Sequence, residues 1–179
     1  MGHHGTVAAK SGRSGRQNVR DMVLSMAAVI GVGLLAYLFT PHSGGDGVHV
    51  VDYSSAAASA KRAAPYPLLV PVGLSDQWRA TSVEYRKDDQ GHAVWHLGFV
   101  TPSGKYAAVE QSDAPKVTQL TTVVAGYQPD GSSTIDGHAW DRVQGEPYRG
   151  LTEATGTATT VVAGTASYDE LGQLAQALK

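Results

Sequence analysis

Apolar residues follow three different rhythms along this chain, and each predicts a different kind of element. From Met22 to Thr40 the run "MVLSMAAVIGVGLLAYLFT" is unbroken, contains no charged residue and stops at Pro41. At about 1.5 Å of rise per residue, a helix of this run comes close to the roughly 30 Å hydrocarbon core of a bilayer. From Trp78 the rhythm becomes period two. His92–Thr101 places Ala93, Trp95, Leu97 and Phe99 alternately on one face, as a half-buried strand requires. Two later stretches change to helical spacing. Val117, Leu120, Thr121 and Val124 form one stripe; Leu171, Leu174, Ala175 and Leu178 form another.

Local signals set the limits of these elements. Trp78–Arg86 is a predicted strand, His92–Thr101 a second, and Lys105–Gln111 a third after the tight turn "TPSG" (Thr101–Gly104), giving an antiparallel meander. A helix is expected next, with Asp113 as its cap, Pro115 in its first turn and Gly126 at its end. Three more strands follow: about Ser133–Ile135 running into His138–Gln144, then Tyr148–Ala154, then Thr157–Gly164. A second helix starts at Ser167, which with Glu170 forms a capping-box pair. Before the sheet, "SSAAASAKRAAPYP" reads as a short helix capped by Ser54 or Ser55 and stopped by Pro65, or as a tether. The predicted fold class is α+β: an N-terminal transmembrane helix, then an antiparallel sheet of about six strands packed with two helices. The expected domains are a cytoplasmic basic tail at 1–20, the transmembrane helix at 21–41, a linker at 42–70 and an extracytoplasmic domain at 71–179.

Charge gives the apolar run a direction. Lys10, Arg13, Arg16 and Arg20 precede it, and no Lys or Arg follows until Lys61 and Arg62. The positive-inside rule then predicts a cytoplasmic N-terminus and a domain outside, in a single-pass cell-membrane protein. A cleaved signal peptide is the alternative for a basic start and an apolar middle. The run is longer than the usual ~7–15-residue apolar region, and Phe39–His42 offers no small-x-small cleavage site. The N-terminal "MGHHGT" matches a myristoylation pattern that a membrane span would make redundant, and Ala27 with Gly31 has helix-pairing spacing. Net charge is −2, which gives no basic footprint for nucleic acid. Cysteine is absent, so disulfides, thiolate metal sites and a cysteine nucleophile are excluded.

Candidate chemistry is sparse. His92 and His96 stand four apart, but on a strand that spacing is roughly 13 Å, too far for one metal ion. No metal and no cofactor is predicted. "GHAVW" and "GHAW" echo each other, each leading a turn glycine into a tryptophan strand, and Trp78, Trp95 and Trp140 are expected in the core or in an apolar groove. Ser133, Asp136 and His138 are the right types for a triad but stand too close together on one strand or turn. Glu84 with Glu110, or Asp136 with Asp141, are candidate carboxylate pairs. Nucleophile-elbow, zinc-protease, phosphate-loop and dinucleotide motifs are missing. Two functions are carried forward. The first is a membrane-anchored module that binds an envelope protein, lipid or glycan. The second is an envelope hydrolase with a site assembled from His96, His138, Glu110 and Asp141.

The stretches "NVRDMVLSMAAVIGV", "KRAAPYPLLVPVGLSDQWRATSV", "WHLGFVTPSGKYAAVEQS" and "VVAGTASYDELGQLAQAL" together resemble an actinobacterial membrane-protein family, the domain of unknown function 4245 family, over nearly the whole chain from Arg16. The resemblance implies one membrane span and an outer domain, and it carries no catalytic residues to transfer. More loosely, "VVAGTASYDELGQLA" is similar to the strand-then-helix close of some periplasmic sigma-factor-regulator domains, which bears on fold alone.

Overall fold

The computed structural model describes residues 50–179, within a compact unit that runs from Gly47 to Lys179. The basic tail, the Met22–Thr40 span with its orientation, the myristoylation pattern and the start of the linker lie outside the described residues. Among the described residues no helix is long and apolar enough to cross a membrane.

Among the described residues one antiparallel sheet of seven strands carries three helices, an α+β fold. In chain order the elements are α1 (Ser54–Ala63), β1 (Arg79–Lys87), β2 (Ala93–Val100), β3 (Tyr106–Ser112), α2 (Lys116–Val123), β4 (Gln128–Ile135), β5 (His138–Gln144), β6 (Arg149–Thr155), β7 (Ala158–Gly164) and α3 (Tyr168–Ala177). The strand order is β1-β2-β3-β7-β6-β5-β4. Two meanders therefore meet at the central β3–β7 pair, and the crossover through α2 carries the chain to the far edge. "ATTVVAG" lies at that centre and is buried along its whole length, as its β-branched run predicts.

Alternation divides the sheet into two faces. Trp95, Leu97, Phe99, Val109, Leu151 and Val162 join Leu171 and Leu174 of α3 and Ala57 and Ala60 of α1 in the main core. Val143, Val161 and Ala163 point the other way and pack with Leu120 and Val124 beside α2. All three tryptophans belong to the main core.

Four expectations are corrected. The sheet has seven strands, not about six, because Asp136 and Gly137 form a two-residue turn with φ 50° and 81° that splits the expected Ser133–Gln144 strand into a hairpin. Among the described residues three helices, not two, pack with the sheet: the possible linker helix is α1, with Ala57 and Ala60 buried in the core. Its N-terminus carries no serine cap; the Asp52 carboxylate accepts from Ser54 N at 2.9 Å instead. Asp113 does not cap α2, which starts at Lys116 after Pro115 with no side-chain cap. Its carboxylate accepts from Ala93 N at 2.8 Å, tying β2 to the end of β3. The Ser167 cap of α3 forms as expected, with Ser167 Oγ accepting from Glu170 N at 3.3 Å, while the Glu170 carboxylate accepts from Ser103 N and Oγ.

Candidate functional site

The face beside α2 is where polar chemistry collects. Antiparallel register aligns Glu84, His96 and Glu110 across β1, β2 and β3. His96 Nδ1 lies 2.5 Å from Glu110 Oε1, and His96 Nε2 lies 2.8 Å from Ser82 Oγ. An ionised carboxylate only accepts hydrogen bonds, so Glu110 places the ring proton on Nδ1. In the neutral ring Nε2 is then an acceptor for the Ser82 hydroxyl. The bond to Glu110 holds the His96 pKa above its ordinary value, against the opposing effect of burial.

Ser82 reaches this position through two irregularities. A bulge between Ala80 and Ser82 shifts the register of β1, so that Ser82 stands opposite Gly98. Gly98 has no side chain, and a Cβ there would collide with Ser82 Oγ and stand 3.0 Å from the Tyr106 hydroxyl. Ser82 Oγ and the Tyr106 hydroxyl therefore converge over bare backbone. Burial pushes the Tyr106 phenol up to about 12, so it keeps its proton and remains a donor.

Beside this line lies a groove of about 370 Å³ between the sheet and α2. Small residues make its floor: Ala108 and Ser112 on β3 and Ala163 on β7 leave the volume that larger side chains would fill. Tyr106 and Tyr148 stand together in its wall, ring centroids 5.9 Å apart and tilted by 32°. Gln119 of α2, only 6% exposed, also lines it. Its Nε2 donates to the Glu110 carbonyl at 3.1 Å, while its Oε1 has no hydrogen-bond partner.

The other sequence candidates are elsewhere. His138 shares the opposite face with Trp140, is 67% exposed and pairs with Glu153 at 2.9 Å. Asp141, on the α2 face but on β5, pairs with Lys116 at 2.8 Å. The structure thus brings His96 and Glu110 together and does not join His138 or Asp141 to them. His92 pairs with Asp88 at 3.1 Å, apart from His96. Asp136 binds Gln176 and Lys179, so Ser133, Asp136 and His138 form no triad. Glu84 and Glu110 flank His96 rather than facing each other. Among the described residues no three metal-ligating side chains cluster.

Sequence reasoning missed Ser82, Tyr106 and Gln119. Tyr106 falls on the same face as Glu110 by simple alternation and was findable; Ser82 was not, because the bulge that aims it leaves no composition signal.

Neither a curated protein nor a solved structure matches the chain. One family pattern does, across residues 15–178, and its extent settles membership: the chain belongs to the family described as "Protein of unknown function (DUF4245)".

Proposed function

We propose that this protein is a ligand-binding module of the actinobacterial cell envelope, held by the Met22–Thr40 span with its domain outside the membrane. The groove beside α2 is its binding site, and a neutral glycan is its ligand class. The observation that carries the reading is the floor of small residues, Ala108, Ser112 and Ala163, which leaves a groove of about 370 Å³ open beside two tyrosines. The Tyr106–Tyr148 pair adds aromatic faces on which the C–H edges of a sugar ring can lie. Asp88, Asp89 and Glu110 outnumber Arg86 around the groove, which disfavours an anionic ligand.

The test is titration of neutral disaccharides into the isotope-labelled chain. Amide shifts are expected at α2 and β3, and Thr118→Trp, which fills the groove from an exposed helix position, is expected to abolish them. Equal binding by the Trp variant, or no shift with any disaccharide, overturns the reading. Of the hydrolase alternative, the His96–Glu110 pair is the part whose members lie together, with Ser82 as a third.

A further inference from the structure

We propose that Ser82, His96 and Tyr106, with Glu110 as a positioning residue, form a centre that hydrolyses carboxylic esters. The inference stands on the Ser82–His96–Glu110 line and not on the identity of the groove's ligand.

The roles follow from the contacts. A serine hydroxyl is a poor nucleophile until a base takes its proton, and His96 Nε2 lies 2.8 Å from Ser82 Oγ. A base must present the correct nitrogen, and Glu110 at 2.5 Å fixes the tautomer and orientation of the ring. An oxyanion needs a donor beside the nucleophile, and the Tyr106 hydroxyl converges with Ser82 Oγ on the open space over Gly98. Access is adequate, since Ser82 is half-buried rather than enclosed. The three members come from three adjacent strands, so the sheet itself sets their spacing.

In the first step Ser82 Oγ bonds to the ester carbonyl carbon while its proton passes to His96 Nε2. The carbonyl π bond breaks, and its electron pair rests on the oxygen that faces Tyr106. Collapse of this intermediate breaks the carbon–alkoxy bond, and His96 gives its proton to the departing alcohol. Water then repeats the sequence on the acyl-serine: His96 accepts a water proton, hydroxide adds to the acyl carbon, and Ser82 leaves with that proton as the acid departs. Atoms and charge balance with water as the sole co-reactant. Esters are favoured over amides because their carbonyls are more electrophilic, which suits a centre in which one side-chain donor meets the oxyanion.

The experiment treats the full chain with a biotinylated fluorophosphonate and, separately, with p-nitrophenyl acetate and butyrate. A single adduct on the Ser82 peptide is expected, with ester turnover above the buffer rate. Ser82→Ala removes both while keeping the thermal midpoint. Tyr106→Phe lowers kcat by about 10²–10³ with KM unchanged, the cost of a lost oxyanion donor. Glu110→Gln lowers kcat by about 10⁴ and moves the acid limb of the pH–rate profile to lower pH, because His96 loses the partner that raises its pKa. An unlabelled Ser82 in folded protein, or wild-type turnover equal to that of Ser82→Ala, overturns the proposal. Disaccharide shifts on Ser82→Ala report the glycan reading separately, so either idea can fail without the other.

Discussion

At the residue scale, the polar line on the α2 face depends on what Gly98 lacks. Any Cβ there overlaps Ser82 Oγ and crowds the Tyr106 ring, which comes within 3.2 Å at Cε2. Gly98→Ala is expected to displace Ser82 from His96 and to cost about 1–3 kcal/mol, the range of overpacking, read from urea denaturation. His96 makes a second prediction. Its folded pKa is raised, so the stabilisation it gives is complete below its unfolded value and is lost as pH rises through the folded one. The thermal midpoint should therefore fall as pH rises from about 6.5 upward, and Glu110→Gln should flatten that slope. A slope unchanged in the variant would separate the pair from stability. These two histidine-centred effects were only half legible in the sequence. Glu110 and His96 were both candidates, but their meeting depends on the β2–β3 register, which alternation restricts without fixing. Pairing of His138 with Glu153 on the other face was hidden for the same reason, since a hairpin missed by one turn reassigns every side chain beyond it.

At the element scale, that missed hairpin shows which signals a strand gives and which it withholds. β2 and β7 were legible because one alternates cleanly and the other is buried throughout. β4 was legible only at its end. It is an edge strand whose residues Gln128–Ser132 are all exposed, so no apolar rhythm marks it. Asp136–Gly137 did mark the turn, since Asp-Gly between strand residues favours positive φ at both positions. The turn holds more than the hairpin. Asp136 accepts from Gln176 Nε2 at 3.0 Å, joining the β4–β5 edge to α3. Gly137→Ala is expected to cost about 1–2 kcal/mol by forcing an L-residue to φ 81°. Denaturant titration measures the loss, and local hydrogen exchange should place it in β4 and β5 before the centre of the sheet. Uniform exchange across all strands would show instead that the edge hairpin and the core open together.

At the scale of the whole molecule, the segment that leads into the sheet is tied to the residues after α3. Val70 N donates to Lys179 O at 3.1 Å, and Lys179 N returns a bond to Val70 O at 3.0 Å. Val72 N adds a third bond to Ala177 O at 2.8 Å. Leu68 and Leu178 are both buried in the main core at this junction. α1 packs into the same core, so the expected boundary at 71 passes through contacts that the compact unit keeps together. Composition could not reveal this, because an Ala-rich stretch ending in proline reads equally as tether or helix until its partner surface is known. Among the described residues, the main core runs from Ala57 to Leu178. The fragment from Gly47 to Lys179 should then fold alone, with one cooperative transition at the thermal midpoint of the full chain. Removing Leu178 and Lys179 from it takes away the two Val70–Lys179 bonds and a buried side chain. Loss of a buried leucine side chain costs about 2–5 kcal/mol, so the midpoint should drop well below that of the intact fragment in circular-dichroism melts. An intact fragment that melts without cooperativity would mean that residues before Gly47 contribute to the core; an unshifted midpoint in the truncated one would mean that this junction forms but does not hold the fold together.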